Sequence, residues 1–505
     1  MKNILFAVFL LSIVGCGDGP GKRSSAGPLT FDDSGHRMVI QYCGSCHLPV
    51  QPGVLDRKTW KDHVLPAMAE KMGIRVWNGN QYYPATGNAQ PLISFTDWMK
   101  LVEYFDHTAP DSLQLAKSVS LKQDWFGFAL KKPLVKGGIK ASTMMVSFDT
   151  ISNKIFTADN ENYLHQWNAG LRQEQKYLLP SPAVNVDFRR NEGGGSTGIF
   201  TLIGTMQAVD QSLGEIVSFT PHDPAPKPLV MAAAFPRPVE SVAGDFNRDG
   251  LEDWLVCGFG HEAGALYLAQ QNADHTFSKK VIRDVPGATQ CITGDFNGDG
   301  WPDFYCLFAH GDEGIWLFTN DRKGGFKSEN ILRFPPYYGS TSFQLVDFNK
   351  DGRLDILYTC GDNSDYSRIL KPFHGVYIFR NEGGNKYSQA WFYHVNGSTK
   401  AVAADFTGDG KIDIATIAFF ADLQHNPLEK FICFEQQGEM RFLPHALPLS
   451  RAGRWICMDV KDYDHDGDQD IILGNFSRGF INQPGFEPDW DVYTPFVVLE
   501  NRRGK

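Results

Sequence analysis

Asp245-Phe246-Asn247-Arg248-Asp249-Gly250-Leu251-Glu252-Asp253 is the stretch on which the fold turns. Oxygen-bearing side chains stand at loop positions 1, 3, 5 and 9, and the glycine at 6 allows the sharp turn that gathers them. The pattern returns as Asp295, Asn297, Asp299, Asp303; as Asp347, Asn349, Asp351, Asp355; as Asp405, Thr407, Asp409, Asp413; and as Asp462, Asp464, Asp466, Asp470. Successive copies start 50, 52, 58 and 57 residues apart. Apolar runs such as Ser241-Val242-Ala243 precede the loops, and runs such as Asp413-Ile414-Ala415-Thr416-Ile417 follow them, which reads as strand, loop, strand. A backbone carbonyl at position 7 and water can complete the roughly six to eight oxygens of Ca²⁺, so up to five calcium ions are expected. Strand flanks and the lack of a glutamate at position 12 exclude an EF-hand, and Mg²⁺ fits such a protein-built cage poorly.

These loops resemble the FG-GAP/VCBS repeats of integrin-like β-propellers, where they join the first two strands of a blade. Two degenerate copies precede the five: Val186-Asp187-Phe188, with Arg189 in place of the third ligand, and Ser147-Phe148-Asp149. Seven units over residues 126–505, about 54 residues each, match four-stranded blades. The resemblance therefore implies an all-β, seven-bladed propeller with calcium-binding blade loops. The segment 126–135 looks like a missing fourth strand and is expected to pair with 496–502, closing the ring and removing its open edge.

Upstream, Cys43-Gly44-Ser45-Cys46-His47 is a C-x-x-C-H run, the attachment signature of a c-type haem. Two thiols on one helical turn can add across two vinyl groups, and the adjacent histidine then lies under the iron. With no second C-x-x-C, zinc is set aside. Residues 31–115 resemble the small cytochrome c domains of bacterial secreted proteins. The resemblance implies a small all-α domain with one covalent haem c on Cys43, Cys46 and His47, joined by a linker (116–125) to the propeller. Pro66 suits a helix start and Gly73 its end, placing Met68 and Met72 four apart on one face. Related domains carry a methionine two residues after Leu-Pro, here Met68. Met72, His63, Met99 and an open position stay as alternatives for the sixth ligand. A methionine ligand raises the haem potential and favours electron transfer.

The first residues read as an address. Lys2 precedes the apolar stretch 4–14, too short for a membrane helix but suited to a signal peptide. Ile13-Val14-Gly15-Cys16 resembles the lipobox of bacterial lipoproteins, which implies a signal at 1–15, acylation of Cys16 and a flexible tether over 16–30. Ordinary secretion, with Cys16 inside a discarded signal, is the alternative. Either reading takes the protein out of the cytoplasm; the first anchors it to a membrane on the periplasmic or cell-surface face.

The chain carries 48 Lys+Arg against 58 Asp+Glu, a net charge of −10, which argues against a nucleic-acid binder. Sixteen aspartates occupy ligand positions of the five loops, and without them 42 acids face 48 bases. Five Ca²⁺ would cancel the formal charge, so the acidity is mostly metal-ligand charge. A hydrophobic fraction of 42% excludes a mainly disordered chain.

If the calcium loops lie on one face, the loops between second and third strands lie on the other. They carry His261, His310, Asp312, Asp362, Asp365, His374, Asp422, His425 and Arg478, a candidate ligand face. No Ser/His/Asp nucleophile arrangement and no Gly-rich phosphate loop stands out, so no catalytic residue is named. Cys257, Cys291, Cys306, Cys360, Cys433 and Cys457 read as buried thiols, with a Cys291–Cys306 disulfide as the alternative. The function expected is a membrane-tethered haem electron-transfer protein whose propeller docks a redox partner protein or a small-molecule donor. One alternative is an oxidoreductase whose propeller oxidises a sugar or alcohol and passes electrons to the haem. Another is a calcium-dependent adhesion or glycan-binding module.

Overall fold

The repeated strand–loop–strand units become seven antiparallel sheets arranged as propeller blades in the computed structural model, which describes residues 33–86, 90–116, 121–135, 137–221, 223, 225–364, 368–481, 483 and 485–503. Blades 1 to 6 span 143–178, 183–235, 238–283, 288–333, 340–394 and 398–446, and blade 7 takes 455–501 with one further strand. The two degenerate repeats are real blades, opening with the strands Thr143–Asp149 and Ala183–Arg190. Burial follows the layering. In blades 3 to 7 every residue of the second strand is buried, from Asp253–Gly258 to Asp470–Asn475, whereas an outer strand such as Phe277–Arg283 is largely exposed. Sheets packed on both faces carry near-continuous apolar runs rather than alternation.

Closure is as the sequence suggested. Phe128–Lys131 pairs antiparallel with Phe496–Asn501, Leu130 opposite Leu499 and Phe128 opposite Asn501. Phe126 and Phe128 are buried beside Val497 and Leu499. Part of the expected linker also belongs to the ring: Lys122–Gln123 runs parallel to His445 and Ala446 on the outer edge of blade 6, and Asp124 lies 3.0 Å from His445 Nδ1.

A second set of bonds joins neighbouring blades near the axis. Glu240 accepts the Cys291 N–H at 2.6 Å, Gln290 that of Phe343 at 3.0 Å and Gln344 that of Ala403 at 2.8 Å. Lys400 Nζ donates to the Met458 carbonyl at 3.0 Å, and Asp459 accepts the Phe148 N–H at 2.8 Å. Each is a first-strand side chain reaching the next blade's first-strand backbone, the last crossing from blade 7 to blade 1.

The N-terminal unit has the helix Asp33–Tyr42, a helical run from Arg57 to Lys71 and the helix Phe95–Thr108, whose N-terminus Ser94 Oγ caps by accepting the Asp97 N–H at 3.1 Å. Pro66 stands in the first turn of the helix Leu65–Lys71, and that helix continues a longer helical run. The run begins at Arg57, capped by Asp56, and widens to a π turn over Trp60–Val64, with Leu65 N–H bonded to the Trp60 carbonyl. Proline cannot donate to the carbonyl four residues back, so the ladder slips by one there. The unit is also not purely helical: Arg75–Trp77 and Gln81–Tyr83 form a hairpin around Asn78 and Gly79, both at positive φ. Asn-Gly is the chemistry of such a turn, and helical periodicity elsewhere masked it. Val39, Leu55, Trp60, Leu65, Trp98, Leu101 and Phe105 form its core. Tyr337 and Ile369 of the propeller pack against that same core. Among the described residues no helix is long and apolar enough to cross a membrane. Cys16, the leader and the tether lie outside the described residues.

Candidate functional site

Four of the five Asp-rich loops share one hydrogen-bond scheme; in the loop at 405–413 the Gly408 N–H takes the place of the position-5 N–H on Asp405, at 2.7 Å. In the first, Asp245 accepts the N–H groups of Asp249 at 3.1 Å and Gly250 at 3.0 Å, and Asp249 accepts that of Leu251 at 2.8 Å. The turn needs positive φ at Arg248 and Gly250, +59° and +83°. The position-9 aspartate does something the ligand pattern did not foretell: it fastens strands. Asp253, Asp303, Asp355, Asp413 and Asp470 are all fully buried. Each accepts one N–H from loop position 2 and one from the third strand of its blade, as Asp303 does from Phe296 at 3.2 Å and Asn320 at 2.8 Å. Asn320 and Asn501 then donate to the Phe246 and Phe406 carbonyls of the preceding blades at 2.8 and 2.9 Å. The loops are structural clamps.

Burial pushes these clamp carboxyls up, Asp253 to about 6 and Asp470 to about 7, with Asp303, Asp355 and Asp413 raised too. At position 5 the direction reverses. The Arg322 guanidinium lowers Asp299, and the Lys411 ammonium lowers Asp409. In the fifth loop Asp462, Asp464 and Asp470 bring carboxylate oxygens within 4.8 Å of one another. That spacing suits ligands about 2.3–2.6 Å from one Ca²⁺.

The C-x-x-C-H run forms a 3₁₀ turn, Cys43–Ser45, at the end of the first helix, with Cys46 and His47 N–H groups bonded to the Cys43 carbonyl at 3.3 and 3.4 Å. Cys43 is half-buried and Cys46 exposed. Burial raises the Cys43 thiol to about 11 and lowers His47 below its ordinary value. His47 Nδ1 lies 2.8 Å from the Leu48 carbonyl, which can only accept; Nδ1 therefore carries the proton and Nε2 keeps its lone pair. Met68 and Met72 are partly buried in the same apolar cluster as Cys43, whereas His63 and Met99 are exposed. A cleft of about 640 Å³ opens beside Trp60, Leu65, Tyr82, Phe95 and Met99, and none of Cys43, Cys46, His47 or Met68 lines it.

In each antiparallel blade the loop after strand 2 and the exit from strand 4 fall on one face, opposite the Asp-rich loops. The N-terminal unit sits on that face, over blades 3 to 5. Lys71 Nζ lies 3.2 Å from Glu262, Tyr337 and Ile369 enter the unit's core, and His47 feels the charges of Asp312 and Arg333. Asp312 is held by Arg333 at 2.5 Å and Arg283 at 3.7 Å, and Arg283 stacks on Trp316.

The remaining candidates on the face stay apart, in separate local pairings. Asp422 accepts from His425 and Asn426, Arg478 pairs with Glu161, and Asp362 accepts from Ser364. His310 stacks edge-on against Phe259, His261 borders the loop that Asp210 caps, and His374 is buried. Asp365 lies outside the described residues. Among the described residues these side chains form no metal-type cluster. Cys291 and Cys306 are cross-strand partners, and both are free thiols.

Residues 245–306 and 295–358 match the FG-GAP-like repeat family. The chain is 25% identical over 202 residues to cartilage acidic protein 1 of Mus musculus, which covers 37% of this chain and 30% of that protein. Among solved structures, it resembles BBS1N in complex with ARL6DN (TM-score 0.45, 10% identity, 74% of this chain and 97% of that one). It also resembles an ancestral GH74 enzyme (TM-score 0.47, 10% identity, 78% and 52%). The protein is a seven-bladed β-propeller that contains FG-GAP-like repeats within residues 245–358.

Proposed function

We propose that this protein is an exported, lipid-anchored haem-c electron carrier whose calcium-stiffened propeller holds the small N-terminal unit on its loop face and offers the rest of that face to a redox partner. The observation that carries the reading is the C-x-x-C-H turn sharing an apolar cluster with Met68, Met72 and two propeller side chains. The donor set fits a covalent haem: two thiols a turn apart, an imidazole with a free Nε2, and a thioether sulfur in the same cluster. A bound haem would supply one-electron redox chemistry. Leu48 fixes the tautomer of His47, and burial keeps that ring neutral and able to ligate. Met68 would supply the thioether ligand to a bound haem, with Met72 packing beside it. Asp312, clamped between Arg333 and Arg283, favours a charged His47 while Arg333 opposes it, and burial outweighs both. Calcium in the five loops would join carboxylates that already clamp strands, coupling cation binding to blade stability. The scatter of the loop-face side chains favours docking over catalysis.

The test is a potentiometric titration of the full chain produced with haem-c maturation. A reversible one-electron wave supports the carrier. Turnover of a sugar or alcohol with no added partner would overturn it in favour of an oxidoreductase.

A further inference from the structure

Three cysteines distant in sequence meet between blades 3 and 4. Cys257 comes from the second strand of blade 3, Cys291 from the first strand of blade 4, and Cys306 from its second strand. All are buried, at 0, 3 and 0% exposure. Their sulfurs lie within 4.8 Å of one another, with 3.5 Å between Cys257 and Cys291. Apolar side chains enclose them, Leu255, Leu266, Ala288, Phe304 and Phe308 among them.

We infer that Cys257, Cys291 and Cys306 form a three-sulfur site for a single soft, thiophilic d¹⁰ cation, with Cu(I) the best match. Size is the first argument. Metal–sulfur bonds of about 2.3 Å in a trigonal set require sulfurs about 4.0 Å apart, close to the 3.5 Å between Cys257 and Cys291 and inside the 4.8 Å that encloses all three sulfurs. Ligand class is the second: cysteine thiolate selects Cu(I) over the hard cations that suit the surface oxygen loops. Binding exchanges the S–H protons of the ligating cysteines for the cation, and the protons leave to solvent. The Glu240 carboxylate holds the Cys291 backbone N–H at 2.6 Å, fixing the strand that carries the central thiol. The site would staple two blades.

The test is an anaerobic titration of the reduced full chain with Cu(I) held by a chromogenic chelator. One equivalent should bind tightly at this site, and X-ray absorption should show a sulfur-only shell. Cys291→Ser and Cys306→Ala should each weaken that uptake at least tenfold, and Cys433→Ser should leave it unchanged. Uptake should also persist in Cys43→Ser/Cys46→Ser, which separates it from the haem motif. Melting curves confirm that each variant folds; if Cys291→Ser does not, Cys306→Ala decides. Unchanged uptake in a folded Cys306→Ala chain, no uptake by the reduced chain, or a Cys257–Cys291 or Cys291–Cys306 disulfide in the protein as isolated would overturn the inference.

Discussion

Replacing Asp303 by alanine should damage the propeller even when no calcium is present, and replacing Asp299 should do so far less. The Asp303 carboxylate is fully buried and receives the Phe296 and Asn320 N–H groups at 3.2 and 2.8 Å. Stranding a buried donor costs about 1–3 kcal/mol, so losing the shared acceptor should cost on the order of 2–6 kcal/mol. The Asp299 side chain, in contrast, is partly exposed and bonds Arg322, Asn297 and the Trp301 N–H within the surface loop, where water can replace it. Its removal in excess chelator should cost well below the loss at Asp303. Urea unfolding of wild type and both variants, in chelator and in saturating calcium, separates the two roles. Calcium at a hundred times its Kd adds about 2.7 kcal/mol per site, and each variant should lose that increment at its own loop. Equal costs for the two variants in chelator would refute the clamp and leave the aspartates as cation ligands alone.

Three further outcomes are expected. In the haem-loaded chain, Met68→Ala should abolish methionine-to-iron charge-transfer absorption and Met72→Ala should preserve it; an unchanged spectrum in Met68→Ala refutes the assignment. Burial raises the Glu313 carboxyl to about 7, against 4.5 in the unfolded chain. Between those values the folded state binds more protons, so this group's contribution is full below about pH 4.5 and is lost as pH rises through about 7. Glu313→Gln should flatten that fall in a pH series of unfolding curves, and an identical pH dependence would count against it. Phe128→Ala, at the strand that closes the ring, should cost about 3–5 kcal/mol in chemical denaturation. A cost below about 1 kcal/mol would show the closure to be dispensable.

The ring was legible because five of the seven blades repeat one local device. The loop, with Asp at positions 1, 5 and 9, Gly at 6 and Asn, Thr or Asp at 3, carries its own turn chemistry and oxygen pattern, so five copies set the period and located the two degenerate blades. Closure was readable for a related reason: the last blade has no fourth strand of its own beyond 496–501, and the segment 126–135 stands ahead of the first blade with the look of one. What escaped notice depends on side chains meeting across about fifty residues. The reach of Glu240 to Cys291, Gln290 to Phe343 and Asp459 to Phe148 leaves no local signature. The clamp role of Asp303 was hidden behind its ligand role, because one carboxylate serves both. The seat of the N-terminal unit rests on Tyr337, Ile369 and Glu262, ordinary loop residues until the blades bring them together. The hairpin at Asn78-Gly79 was readable from its turn dipeptide but lies between helices that set the expected period.

Mass spectrometry of the peptide holding Cys43 and Cys46, from full chain exported by a host with haem-c maturation, tests the central claim most directly. The account predicts one haem bound through both cysteines, lost in Cys43→Ser/Cys46→Ser while the propeller still folds. Unmodified thiols at both positions, in protein exported beside a correctly matured control cytochrome, would contradict it.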